Sequence, residues 1–563
     1  MKIHVNQLGW RPGDAKKAVV TSDGAGFELV READGATVFR GELGEEILDA
    51  ASEETVRVAD FSGFTPNTGG RYFLRVGAEK SLPFNIDQNP YAGLCDALLE
   101  FFNYQKCGVD LDAGLWSHPA CHTSLATVYG TDKKKDVSGG WHDAGDYGRY
   151  IVPAAMTVAD LLLAYEMVRQ AHSGHRGHVS EAAHSLEAGS GAGSSAGSSA
   201  GSSFTAYEKI LDVVWFELEW FLKMQCKCGG VYHKVSCAGF DPLDEMPQDE
   251  QGELILCPIT LTATADFAAT LALASRFFDA EDTCGNAGHS LETEGNPRRN
   301  KKDVLLDAAR RAWDWCVANP DAEMFTNPPG ISTGPYGDRS ASDEIFWAAC
   351  ELFAATGESQ YLDAILASEI YTGLGWGDVG TYGIVAMLRI ENTPAPLREK
   401  MQAALRANCE EIMQKHANEP YGTSQGAIFR WGSNMDVGNN AQALLLYSRL
   451  VEKTPRYENA ALEHMHYLLG RNPLSQSYIS GFGANAMKNP HHRPSFAVGA
   501  AFPGMVSGGP NGNVTPGDAV LYKACAGLPP SKCFVDHAGS YSANEVTIYW
   551  NSVVFFVAAV LGM

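Results

Sequence analysis

The chain has 563 residues, 43 Lys plus Arg against 67 Asp plus Glu, and a formal net charge of −24. That length exceeds one small core and points to two or more folding units. The charge excludes nucleic acid as an expected partner, because phosphate neutralisation needs clustered cations, while a neutral substrate stays open.

Met1 to Asp14 lacks a basic stretch followed by an apolar run, so the sequence as it stands carries no secretory leader. A cytoplasmic location is expected, or secretion if a leader has been trimmed off. The longest apolar run, 552–563, is shorter than the roughly 20 residues needed to cross a bilayer. It reads as a buried terminal helix, and no membrane association is expected. Thirteen cysteines, an odd and scattered set, read as reduced thiols rather than a disulfide frame.

Residues 1–87 contain short alternating segments at 3–5, 17–21, 27–31, 37–39, 55–58, 72–76 and 84–86, separated by turns such as DGAG and PNTGG. This pattern predicts a small antiparallel β-sandwich. From Tyr91 the period changes: Leu94, Ala97, Leu98, Phe101 and Phe102 line one helical face. Helices are predicted over 152–170, 204–224, 259–278, 304–319, 343–356, 396–415, 439–451 and 457–469, with few strands between them. Several are apolar around most of their circumference, which suits burial between two layers. Residues 88–563 therefore read as one mainly helical domain, a double ring of helices; a solenoid is disfavoured by the lack of a fixed repeat. Inside it, the tract LEAGSGAGSSAGSSAGSS at 186–203 is predicted to be a disordered surface loop.

Three clusters carry chemistry. The run GGWHDAGDYGRY at 139–150 holds Asp143 and Asp146 three residues apart among glycines and aromatics; a capped turn at the start of a helix fits the pattern equally well. Glu545 enters an apolar, aromatic segment, where desolvation would raise its pKa and keep it protonated, although a helix-capping glutamate is the commoner meaning of such a residue. NPHHRP at 489–494 gathers imidazole and guanidinium groups that can bond sugar hydroxyls, or can form a solvated basic loop.

Together these clusters resemble glycoside hydrolase family 9, the cellulase family with an (α/α)6 barrel. The resemblance extends to residues 480–493, 534–552, WGSN at Trp431 to Asn434 and PGMVSGGPNGN at Pro503 to Asn513, and residues 1–87 resemble the family's immunoglobulin-like module. It implies inverting hydrolysis of β-1,4-glucosidic bonds in cellulose, soluble β-glucans or cellodextrins. Asp146 then matches the general base, Asp143 its helper in holding water, and Glu545 the general acid. His491, Arg493, Trp431, Tyr541 and Asp536 match substrate-binding or supporting positions.

Two metals are expected and no organic cofactor. Cys107, Cys121, His122 and His142 supply the ligand types of tetrahedral zinc, and His142 immediately precedes Asp143. Cys226, Cys228, His233 and Cys237 form a rival set that is not expected to bind zinc. The resemblance also implies calcium on Asp343, Glu344 and Asp378, hard oxygen ligands. The expected partner is a β-glucan or cello-oligosaccharide, bound by a monomer. An exo-acting β-glucosidase or glucosaminidase on short oligosaccharides is the runner-up. A non-catalytic glycan-binding protein is disfavoured by the intact Asp143, Asp146 and Glu545.

Overall fold

The structure, a computed structural model, describes residues 2–21, 23–183, 200–278 and 300–563. The N-terminal module contains β1 (Ile3–His4), β2 (Gly9–Trp10), β3 (Lys17–Val20), β4 (Gly26–Arg31), β5 (Thr37–Glu42), β6 (Ile47–Asp49), β7 (Glu54–Asp60), β8 (Gly70–Val76), β9 (Glu79–Lys80) and β10 (Phe84–Ile86). One sheet runs β1-β3-β7-β6 and the other β2-β10-β8-β4-β5, with β9 against β8. The alternation is plain in β8, which buries Tyr72, Leu74 and Val76 and turns Arg71 outward. Edge-to-face contacts of Trp10 with Phe61 and Phe84 fill the space between the sheets. Every segment predicted from alternation is a strand; the two-residue pieces β2 and β9, and β6, are too short to show a period.

The helical domain has α1 (Leu94–Tyr104), α2 (Ile151–Ala183), α3 (Ala200–Met224), α4 (Leu261–Ala274), α5 (Lys301–Ala318), α6 (Ser342–Thr356), α7 (Ser359–Ala367) and α8 (Gly380–Leu388). It continues with α9 (Ala395–Ala417), α10 (Ser433–Leu450), α11 (Pro455–Leu468), the short α12 (Arg493–Val498), α13 (Ala519–Cys525) and α14 (Tyr541–Asn544), and α15 (Ile548–Val560). Helices α2, α4, α6, α8, α10 and α15 pack each on the next and close into a ring, with α1, α3, α5, α7, α9 and α11 outside it. This is an (α/α)6 barrel. Helix α4 of the inner ring buries every residue, whereas the apolar segment 207–224 lies in the outer helix α3 and keeps Lys209 and Asp212 exposed. The stretch Ile151–Ala171 of α2 is long and apolar enough to span a bilayer, but it is mostly buried in the barrel core.

Several expectations need correction. Residues 186–199 of the Gly/Ser tract lie outside the described residues, while 200–203 form the first turn of α3 rather than a loop. α8 was not anticipated, because Gly380 and Gly383 interrupt its pattern; Gly383 is needed where a Cβ would meet the Phe346 ring at 2.8 Å. Helix α10 starts at Ser433, six residues before the predicted start. The helical domain also holds a five-stranded sheet, ordered β12 (Lys134–Lys135), β11 (Ala126–Val128), β15 (Ile255–Leu256), β14 (Lys234–Ser236) and β13 (Arg149–Tyr150). All twelve cysteines among the described residues are free thiols; Cys284 lies outside them.

The module is fastened to the barrel near the α11–α12 connection. Gln7 donates from its backbone to Leu469 O (2.9 Å) and from Nε2 to Ser475 O (2.8 Å), and its Oε1 accepts from Asn485 N–H (2.7 Å). Trp10 meets the His466 ring edge-on at 5.5 Å. Because inner helices alternate with outer ones that return the chain, all six inner helices start at the same end of the barrel. The segments leading into them form the cleft.

Candidate active site

The loop 139–149 leads from β12 into α2, and its shape is imposed from several sides. Gly140 has φ +77°, and a Cβ there would strike the Trp220 ring at 2.7 Å. Trp141 N–H donates to buried Glu217 Oε2 (2.7 Å). Gln105 grips the residues flanking Asp143: its Nε2 donates to His142 O and to Ala144 O, 3.0 Å each, and its own carbonyl accepts from His142 N–H (2.7 Å). His492 Nε2 in turn donates to Gln105 Oε1 (3.0 Å). Gly145 lies against the next wall, where a Cβ would sit 2.1 Å from His491 O.

Three carboxyl groups meet here in different surroundings. Asp146 is buried, and its Oδ2 accepts from Gly148 N–H (3.1 Å) and Tyr150 O–H (3.2 Å). Burial raises its pKa, and the Arg493 charge opposes that rise. Asp143 is also buried; its Oδ2 accepts from Tyr336 O–H (2.5 Å), while Oδ1 has no protein partner. Glu545 keeps partial access to solvent although protein surrounds it on most sides. Burial first, then repulsion from Asp146 and Asp143, raises it well above the usual carboxylate range, and Gly145 N–H bonds it. The environment thus holds Glu545 protonated more strongly than Asp146, the ordering that an acid and a base require.

The other anticipated residues divide into two groups. His491 donates from Nδ1 to Ala538 O (2.6 Å), and burial lowers its pKa to about 4, so Nε2 is left as an acceptor. Trp431 is exposed and lies 5.3 Å from the Tyr541 ring, which is itself 6.1 Å from His491. These three form an open aromatic wall. Arg493 was expected at the substrate and Asp536 as a supporting residue, and the polar atoms of both are largely committed to backbone. Arg493 donates to Gly145 O (2.7 Å) and twice to Asp241 O (3.0 and 2.7 Å). The Asp536 carboxylate accepts from Lys488 N–H (2.9 Å) and Asn489 N–H (2.8 Å). Both brace the loops that carry the site.

Sequence reasoning missed Tyr336 and the residues that hold it. Tyr336 has φ +42°, a conformation rare outside glycine. Its ring lies 5.2 Å from Trp376 and 4.9 Å from Tyr150, and its hydroxyl reaches Asp143 across 193 residues of sequence. The three preceding carbonyls are captured by two adjacent residues: Lys234 Nζ donates to Thr333 O (3.2 Å) and Gly334 O (2.8 Å), and His233 Nε2 to Pro335 O (2.9 Å). No spacing rule announces such a residue; its signal is the strained backbone, visible only in three dimensions.

Cys107, Cys121, His122 and His142 do come together, their ligand atoms all within 4.8 Å of one another. Cys107 Sγ lies 3.9 Å from Cys121 Sγ and 3.6 Å from His122 Nδ1, and Cys121 Sγ lies 3.7 Å from His142 Nε2. Tetrahedral zinc with its usual bond lengths requires edges of about 3.8 Å between sulfurs and about 3.6 Å between sulfur and nitrogen. Glu250 Oε2 accepts from His122 Nε2 at 2.7 Å, as a carboxylate orienting a ligand does. The rival set is dispersed: His233 is spent on Thr260 and Pro335, and Cys237 is buried elsewhere. In the acidic group Asp343 and Glu344 are buried, Asp378 is exposed, and Asp343 Oδ2 accepts from Val379 N–H (2.8 Å). Both Glu344 oxygens and both oxygens of the unanticipated Asp266 are buried without partners. Such orphaned hard oxygens suit a divalent cation.

A barrel of this kind, with differently tuned carboxyl groups on one cleft floor beside an aromatic wall, defines a glycoside hydrolase. The profile described as glycosyl hydrolase family 9 matches residues 91–558, and that of the cellulase N-terminal ig-like domain matches residues 1–81. A cellodextrinase of Butyrivibrio fibrisolvens is 33% identical over 597 residues, covering 100% of both chains. The solved structure of AaCel9A in complex with cellobiose-like isofagomine superposes with a TM-score of 0.84 at 35% identity, covering 100% of both chains. That of a Zn-binding triple mutant of the family 9 endoglucanase J30 gives 0.84 at 29% identity, covering 98% of this chain and 99% of the other. The chain belongs to glycosyl hydrolase family 9.

Proposed function

We propose that the chain cleaves internal β-1,4-glucosidic bonds of soluble β-glucans and cellodextrins with inversion at the anomeric carbon. The observation that carries this reading is the unequal treatment of Asp146 and Glu545 within one cleft. Asp146, supported by Tyr150 and Gly148 and attracted by Arg493, is the carboxylate that takes a proton from water. Asp143, oriented by Tyr336, offers Oδ1 to the same water. Glu545 delivers its proton to the departing glycosidic oxygen. Trp431 and Tyr541 offer faces on which glucose rings stack, and His491 an acceptor for a hydroxyl.

The full-length likeness to a cellodextrinase supports short chains among the substrates. The sulfur and nitrogen distances of the Cys107, Cys121, His122 and His142 set support structural zinc, which would tie the start of the catalytic loop to the chain at 107–122. Asp343 and Glu344, with Asp378 and Asp266 nearby, would hold calcium.

The test combines stereochemistry with two variants. NMR of fresh product from cellopentaose should show the α-anomer first. Asp146→Asn should lose hydrolysis of every substrate by about 10²–10⁴-fold. Glu545→Gln should lose cellopentaose cleavage to a similar degree, yet retain aryl glycosides whose acidic phenols leave without a proton. Initial β-anomer, or parental cellopentaose turnover by Glu545→Gln, overturns the assignment.

A further inference from the structure

The turn after α3 reads Gln225-Cys226-Lys227-Cys228-Gly229-Gly230. It is a tight reversal, with Cys226 N–H donating to Gly230 O (2.8 Å), Gly229 N–H to Cys226 O (3.0 Å), and Gly229 at φ +98°. Among the described cysteines Cys228 is exposed and Cys226 partly accessible, whereas all the others except Cys95 are buried. The reversal folds Cys228 back onto Cys226. Cys226 Sγ accepts from Cys228 backbone N–H at 3.4 Å, and the Cys228 thiol and Tyr232 hydroxyl also bond it, with the Lys135 ammonium nearby.

The two thiols are therefore not equivalent. Around Cys226, burial works against ionisation, but the Cys228 bonds, the Lys135 charge and the Tyr232 bond outweigh it and bring the thiol below its ordinary range. Cys228, though exposed as a residue, is raised by partial desolvation of its sulfur in the turn and then by its bond to Cys226. An accessible thiol eased toward ionisation beside one held back from it is the arrangement of a nucleophile and its resolving group.

We propose that Cys226 and Cys228 form a reversible dithiol–disulfide site that exchanges with small disulfides of the glutathione type, Cys226 attacking and Cys228 resolving. In the first step the Cys226 thiolate bonds to one sulfur of the small disulfide, whose S–S bond breaks and releases one thiolate. That thiolate takes the Cys228 proton. The Cys228 sulfur then bonds to Cys226 Sγ and expels the second small thiolate. Two electrons pass from the protein dithiol to the small disulfide, which ends as two thiols once the second thiolate takes a proton from solvent, the one that Cys226 gave up on ionising.

The experiment uses the full chain as purified, treated with excess glutathione disulfide in mildly alkaline buffer and followed by intact and peptide mass spectrometry. The protein should lose two hydrogens, mapped to the peptide containing both cysteines, and regain them with dithiothreitol. Cys228→Ser should stop at a single glutathione adduct on Cys226. Cys226→Ser should slow modification of this peptide about tenfold or more. The buried pair Cys525 and Cys533, whose thiols also bond each other, should stay unmodified and serves as the internal comparison. The proposal fails if Cys226→Ser reacts at the parental rate, if Cys228→Ser gains no adduct, or if the parent accumulates the mixed disulfide instead of closing the ring. Unchanged thermal unfolding of both variants keeps these readings free of folding effects.

Discussion

Asp160 displays at one residue what burial does to a carboxyl throughout this barrel. It projects from α2 into the inner ring, where Tyr382 O–H (2.7 Å) and Gln442 Nε2 (2.6 Å) donate to Oδ1 and Ser552 O–H (2.7 Å) to Oδ2. Desolvation outweighs these donors and raises its pKa to about 6. A folded-state pKa above the unfolded value of about 3.9 means that ionisation costs stability. The cost is absent below about pH 4, grows as pH rises toward 6, and levels off near 3 kcal/mol above it. Asp160→Asn removes the charge, and Ser552, which also donates to Tyr549 O, can turn to accept from the new amide. Relative to the parent, this variant should gain stability between about pH 4 and pH 7, measured by thermal unfolding across that range. A constant difference at all pH values would show that Asp160 does not titrate there. At this scale the sequence was informative wherever a residue acts within a local motif: Asp143, Asp146, Glu545 and the Cys2His2 set are where the motifs led. It was uninformative about partners joined through space. Tyr336, Lys234 and Gln105 carry no local signature, and the backbone contacts of Arg493 and Asp536 depend on loops hundreds of residues away.

Among the elements, long apolar helices were legible because their periodicity survives over three turns or more. Helix α8 and the five-stranded sheet were not, since nine residues with two glycines, or strands of two and three residues, leave too little pattern. Those short pieces nevertheless matter to the cleft, because β13 and β14 carry Tyr150 and Lys234. The loop that carries Asp143 and Asp146 is the element that loss of a metal from the Cys2His2 set would most affect. His122 is held at φ +51°, a strain that a bonded metal would offset. Purified protein should contain about one zinc per chain. Replacing both Cys107 and Cys121 by Ser should remove it and lower the melting temperature by about 5 °C or more. Full zinc content in that double variant would rule out the site.

Across the whole molecule, the sandwich and barrel behave as one body. Val19, Ala51 and Val56 of the module belong to the barrel's hydrophobic cluster, while Trp10 and Ile86 pack in the module's own. Gln7 ties the module to Leu469, Ser475 and Asn485, on the connection that runs on to His491. A chain starting at Gln88 should therefore aggregate, or melt about 5–10 °C lower. Equal stability and activity in that truncate would show the module to be dispensable.

The common direction of the inner helices has an electrostatic consequence. Each helix presents the positive end of its peptide dipoles, equivalent to about half a charge, at its N-terminus. All six of those ends face the cleft, in a protein whose side chains sum to −24. The backbone itself thus supplies a fixed positive field around Asp143, Asp146 and Glu545, one that no proton can neutralise. It favours an ionised Asp146 at the floor of an otherwise acidic molecule.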